Sequence, residues 1–138
     1  MYASSDVNIM MMFFELFLIY FFLHNNTVLP ILPHNFMVFV CFICRTGFKK
    51  CTKLLLDYGA DSQMRMVGGW TAAHCAAEGG HLEVLKIFIE HGCPTYLTDD
   101  SGDTPANVAE IYSHERCKKL LDDFVKKTKF KSTQLKKY

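Results

Sequence analysis

Residues return in this sequence at a fixed step. Gly69, Thr71, Ala76, His81 and Lys86 recur 33 positions on as Gly102, Thr104, Ala109, His114 and Lys119. At the same step backwards, Gly80, Lys86 and Gly92 match Gly47, Lys53 and Gly59. The best-formed unit, Gly69 to Gly92, reads as two short helices back to back. The first has a small face, Ala72, Ala73, Ala76 and Ala77, and Gly79-Gly80 ends it. The second carries Leu82, Leu85 and Ile89 with Val84, Ile87 and Phe88 beside them, a wide apolar stripe at helical period. Gly92 stands where a helix closes on a left-handed residue. Neither helix can bury its faces alone, so each unit must be sandwiched between similar units.

The pieces Gly69-x-Thr71-Ala72-Ala73-His74-x-Ala76-Ala77, Gly80-His81-Leu82-Glu83-Val84-Leu85 and Leu54-Leu55-Leu56-Asp57-Tyr58-Gly59-Ala60-Asp61 resemble the ankyrin repeat. A third copy supplies Gly102-x-Thr104-Pro105-Ala106-Asn107-x-Ala109. The resemblance covers about residues 47–124, some two and a half repeats. It departs from the family pattern at Ala72-Ala73 for Pro-Leu, at Asn107 for His, at Glu110 for Ala, and at Cys93-Pro94 for Ala-Asp. It implies an all-α solenoid of helix-turn-helix pairs joined by β-turn fingers, and a non-catalytic protein–protein interaction module. Family partners lie across the concave side, touched by fingertips and front-helix faces. By register those positions are Arg65, Val67, Gly68, Trp70, Cys75, Glu78, Thr98, Asp100, Ser101, Asp103, Val108, Ile111 and Tyr112. Trp70 is the leading anchor, since Trp is over-represented among hot spots; its alternative is packing against the next finger. The resemblance makes His74, His81 and His114 structural, with His74 hydrogen-bonding the backbone of the neighbouring turn. Gly80 and Gly92 belong to the same structural set.

The spacing predicts a helix at about Phe48 to Tyr58, a finger over Asp61 to Trp70, a helix after Thr71, another over about His81 to His91, and a finger over Thr95 to Asp103. Thr71 and Thr104 suit helix N-caps. Pro105 suits the first helical position, where a missing N–H costs nothing. The last helix begins near His114 and, lacking a closing glycine, continues past Phe124 into a tail over 126–138.

The first 46 residues read differently. Residues 1–45 carry three charges, Asp6, Glu15 and Arg45, and eight of the twelve phenylalanines. Ile9 to Leu23 has one polar member, Glu15, and Val28 to Cys44 is a second apolar run broken by Pro30, Pro33, His34 and Asn35. A signal peptide is disfavoured: no Lys or Arg precedes the first run and no small-x-small site follows it. A membrane anchor over 9–44, with the repeats in the cytosol, meets two obstacles. A span needs about 20 residues, and a central carboxylate costs about 2–3 kcal/mol on insertion scales. A third reading rests on codons: Phe39 to Arg45 can be written back as a pyrimidine tract ending in CAG, the form of an intron's 3′ end. Residues 1–45 would then be translated non-coding sequence, and the repeats would start at Gly47. Asn25-Asn26-Thr27 fits the glycosylation pattern but is expected by chance.

Little else points to chemistry. The six cysteines lack a disulfide pattern, which favours a reducing compartment, cytoplasmic or nuclear. His74, Cys75, His91 and Cys93 offer no pairs at zinc spacing. Cys41-x-x-Cys44 has metal spacing, but it sits in an apolar run and is read as chance. Asp99, Asp100 and Asp103 form an acidic finger, read as solvated. The sequence predicts no enzyme, no cofactor and no metal. Its partner is another protein; a net charge of +1 indicates no specific nucleic acid. Lys126, Lys127, Lys129, Lys131, Lys136 and Lys137 could make weak contact with acidic lipid or nucleic acid. Two and a half units with an apolar front predict marginal folding, or association with something that covers Leu54 and its neighbours.

Overall fold

The computed structural model describes the backbone of residues 33–135 and the side chains of residues 40–133. Ile9 to Leu23, the Asn25-Asn26-Thr27 tripeptide, Lys136 and Lys137 lie outside the described residues. His34–Tyr138 forms one compact unit. Six helices are described: α1 Pro33–Thr46, α2 Lys49–Asp57, α3 Ala72–Glu78, α4 Leu82–Glu90, α5 Pro105–Ile111 and α6 Glu115–Leu135. No strand occurs among the described residues. Front helices α3 and α5 pack side by side, and so do back helices α2, α4 and α6, while α3 pairs with α4 and α5 with α6. This is the stacked all-α solenoid that the period requires.

Each helix forms for a readable reason. In α2, Cys51, Thr52 and Leu55 are buried while Lys49, Lys50 and Lys53 face water. In α4, Val84, Leu85 and Phe88 make the same stripe one period on. α3 is buried at Ala72 to Ala77 because it lies between neighbours, and only small side chains let the backbones approach. Thr104 Oγ1 accepts from Asn107 N at 3.3 Å and Pro105 opens α5.

The turns also repeat. Gly59 and Gly92 are left-handed, at φ +83° and +69°. At the end of α4, Gly92 N donates to Ile89 O (3.1 Å) and Cys93 N to Phe88 O (2.9 Å). At the end of α2, Gly59 N donates to Leu56 O (3.0 Å) and Ala60 N to Leu55 O (3.0 Å). Both are the paired closing bonds that satisfy a helix's last carbonyls.

The sequence reading leaves residues 33–46 outside the repeats. They form α1, and its Val40, Cys41, Ile43 and Cys44 are buried. Their spacing is that of a helix stripe, which an all-apolar run hides from inspection. Cys44 Sγ lies 3.8 Å from Thr52 Oγ1, and Arg45 Nε lies 3.2 Å from Glu78 Oε2. Among the described residues no helix is long and apolar enough to cross a membrane.

Candidate functional site

Two fingers, residues 61–70 and 95–103, project from the helix pairs. Each closes on the same bonds. Met66 N donates to Trp70 O (2.7 Å) and Gly69 N to Met66 O (2.9 Å). One period on, Asp99 N donates to Asp103 O (2.8 Å) and Gly102 N to Asp99 O (3.1 Å). Gly69 and Gly102, one period apart, take φ of +78° and +88°, which a tight turn of this kind demands.

The fingers are stitched edge to edge. Asp100 N donates to Gly68 O at 3.0 Å. Arg65 Nη1 donates to Thr98 O at 2.6 Å and to Gly69 O at 3.2 Å. Trp70 Nε1 donates to Asp99 Oδ2 at 3.0 Å, so the indole is tied to the next finger. Its ring also stacks on His74, centroids 5.8 Å apart. Trp70 is therefore half-buried and structural in part, the alternative noted for it above.

Asp99 is the hub of its finger. Its Oδ1 accepts from Ser101 N and Asp103 N, both at 2.9 Å. The Asp103 N–H, with Ser101 N–H and the Trp70 indole, holds the Asp99 carboxyl below the usual carboxylate range. So the acidic finger is only partly solvated: Asp100 is exposed, whereas Asp99 organises the turn and Asp103 Oδ1 accepts from Asn107 Nδ2 at 3.3 Å.

His74 joins three elements. Thr71 N–H donates to Nδ1 at 3.1 Å, so Nδ1 is the acceptor and Nε2–H donates to Asp103 O at 3.0 Å. Burial holds this imidazole below its ordinary pKa. His81 and His114 do a second job in parallel. Their Nε2–H groups donate to Arg45 O (2.7 Å) and Glu78 O (2.9 Å), one period apart.

The positions read as partner-facing separate into two groups. Arg65, Val67, Gly68, Thr98, Asp100, Ser101, Ile111 and Tyr112 are exposed, Val67 by 85%. Trp70, Glu78 and Asp103 are half-buried. Cys75 and Val108 are buried, at 3% and 2% exposure, and offer a partner no surface. Both sit inside a short helix packed against its neighbour, where register alone does not tell an inward from an outward residue. Tyr96, Phe130 and Tyr58 are large exposed residues that the sequence reading missed. The only signal for Tyr58 and Tyr96 was a large ring where the matching residue one period away, His91 or Gln63, is polar; Phe130 matches Leu97 and had no such signal.

No disulfide joins any of the six cysteines, and all six are buried. Cys75 lies against Cys41, and burial pushes the Cys44 thiol up to about 12. Among the described residues no three His, Cys, Asp or Glu side chains are placed to hold a metal.

The family described as ankyrin repeats, in three copies, matches residues 37–131 of this chain. That match starts ten residues before Gly47 and takes in all of α1 but its first four residues. The chain is 35% identical over 65 residues to protein phosphatase 1 regulatory subunit 27 of Homo sapiens, covering 47% of this chain and 42% of that one. The Mus musculus subunit 27 is 34% identical over the same length and shares. Ankyrin repeat and SAM domain-containing protein 6 of Danio rerio is 37% identical over 71 residues, 51% of this chain and 10% of that one. The matches thus span less than half the length of these relatives. The chain belongs to the ankyrin repeat family, and its repeats form a protein-interaction module.

Proposed function

We propose that this module works without catalysis, in the cytoplasm or nucleus, gripping one protein partner with its finger tips and the exposed end of α5. One observation carries the reading. Val67 stands 85% exposed at the tip of a turn whose backbone is fixed on both sides by hydrogen bonds. A rigid, solvated apolar tip has no folding role, and rigid anchors lose little entropy on binding. Ile111 and Tyr112 add apolar surface at the end of α5. The names of the subunit 27 relatives support a finer reading, in which the partner is a protein phosphatase catalytic subunit.

The test is affinity capture with the full chain, followed by direct binding to purified protein phosphatase 1 catalytic subunit. A Val67→Glu/Ile111→Glu variant should lose its partner at least tenfold while its melting temperature holds. Capture unchanged by that variant would remove the finger-tip reading. A partner other than the phosphatase would remove only the finer one.

A further inference from the structure

The last helix breaks the pattern of the others. α4 stops at Glu90, and the chain turns at Gly92 into the finger that ends at Asp103. One period later there is no turn: α6 runs straight on to Leu135. Among the described residues no further finger lies beside residues 95–103. A groove of about 710 Å³ lies there, between Thr95, Tyr96 and Ala106 on one wall and Val125, Lys126 and Lys129 of α6 on the other.

The inner edge of finger 95–103 is stitched to the finger before it, through Asp100 N to Gly68 O and Arg65 to Thr98 O. The groove side is unfinished. Thr95, 1% exposed, lines the groove, and its Oγ1 has no hydrogen-bond partner among the described residues. A buried hydroxyl is destabilising until something donates to it or accepts from it. Lys126 and Lys129 line the groove with one carboxylate, Asp122, and Lys127 and Lys131 lie on the same helix.

We propose that this groove docks an extended, acidic segment of a partner protein, laid beside residues 95–103 where another finger would run. The proposal rests on the reading of the array as a protein-binding module and names the chemistry of what it holds. The backbone of the segment satisfies Thr95 Oγ1. Its aliphatic side chains lie on Ala106, Val125 and the Tyr96 ring. Its carboxylates pair with Lys126 and Lys129. Three other occupants fit less well. The chain's own Ile9 to Leu23 carries a single carboxylate for two lysines. A lipid surface is flat and meets exposed groups, whereas Thr95 is buried. A second copy of this chain would bring more lysine than acid from its own α6 end.

The test uses the full chain and a fluorescein-labelled peptide of about twelve residues with alternating Glu and Val, followed by fluorescence anisotropy near 0.1 M salt. Its control has Lys in place of Glu. The acidic peptide should bind at least about tenfold more tightly than the control. Lys126→Glu/Lys129→Glu should abolish that preference, and Thr95→Val should weaken binding several-fold with no loss of melting temperature. Lys127→Glu/Lys131→Glu should weaken it much less. Equal losses from both lysine pairs would overturn the groove in favour of diffuse charge. Binding that survives Lys126→Glu/Lys129→Glu, or a preference for anionic phosphatidylserine vesicles over the peptide, would overturn it too, as would lysine-dependent dimerisation. Loss of the peptide in Val67→Glu would move the segment to the finger tips, overturning the groove while leaving the module's proposed function standing.

Discussion

The imidazole of His114 fills the space that a side chain on Gly80 would need. A Cβ on Gly80 would lie 2.6 Å from His114 Nδ1, and Gly80 has φ +70°. One period earlier the His81 ring sits over Gly47 in the same way, 2.3 Å from a Cβ there. Glycine is thus required twice over, by dihedral and by contact, and the ring it admits bonds back to the repeat before it. Gly92 has the same dihedral, φ +69°, with nothing within 4 Å of its Cβ. Gly92→Ala should therefore cost only the left-handed penalty, about 1 kcal/mol, and Gly80→Ala about 2 kcal/mol or more. Urea unfolding of the two variants separates contact from dihedral. Equal losses would mean that His114 swings aside freely.

Ser113 predicts the opposite sign. It holds the position of Gly47 and Gly80, yet carries a side chain at φ +61° and is exposed. The bonds that close α5 are all present: Ser113 N to Glu110 O (3.0 Å) and His114 N to Ala109 O (2.7 Å). So the strain is borne locally. Ser113→Gly should stabilise the array by about 0.5–1 kcal/mol, the left-handed relief less the glycine's greater freedom when unfolded. A lower urea midpoint in that variant would show that Ser113 has a role the geometry does not reveal.

The period was legible because stacking imposes it on side chains of very different kinds. His74 bonds a carbonyl 29 positions away, and Gly80 admits the His114 ring that bonds one 36 positions back, so each must recur or be replaced by something that does the same work. α1 was not legible. Its core residues Val40, Cys41, Ile43 and Cys44 are flanked by other apolar residues, so no contrast marks the inward face. Trp70 and Asp99 were each seen, but not their bond, because it joins two loops and leaves no periodicity. The partner-facing set was over-read at Cys75 and Val108 for a related reason. In a helix of seven residues the neighbouring helices cover most of the surface, and register fixes the position without fixing what covers it.

The cysteines give a chemical prediction. All six are buried, burial pushes Cys44 up to about 12, the contact with Cys41 and then burial raise Cys75, and burial raises Cys117. The thiolate is the reactive form, so native protein at pH 8 should react with a thiol reagent only through opening of the fold. All six should be labelled promptly in denaturant. Rapid labelling of one or two in native protein would mean that α1, which carries Cys41 and Cys44, opens independently of the rest.

The pH dependence turns on His74 and His91, which pull in opposite directions. His74 accepts from Thr71 N–H at Nδ1 and donates from Nε2 to Asp103 O, so both nitrogens are used by the neutral ring. Burial holds its folded pKa below the unfolded value near 6.5. Between the two values the unfolded chain binds more protons, so stability is lost as pH falls through and below about 6.5, by at most about 1.4 kcal/mol per pH unit. His91 is raised by Asp57, 2.8 Å away. Its contribution is complete below the unfolded value and is lost as pH rises through the higher folded one. That pair is exposed and screened, so its effect is the smaller. Asp57→Asn should remove it and leave the acid-side loss of His74 plain in urea melts from pH 7.5 to 5.5. His74→Gln should lower stability at every pH and flatten that slope. An Asp57→Asn array that grows more stable on acidification from pH 6.5 to 5.5 would show that His74 is protonated in the folded state, and that its bond to Thr71 is not the one that orders the finger.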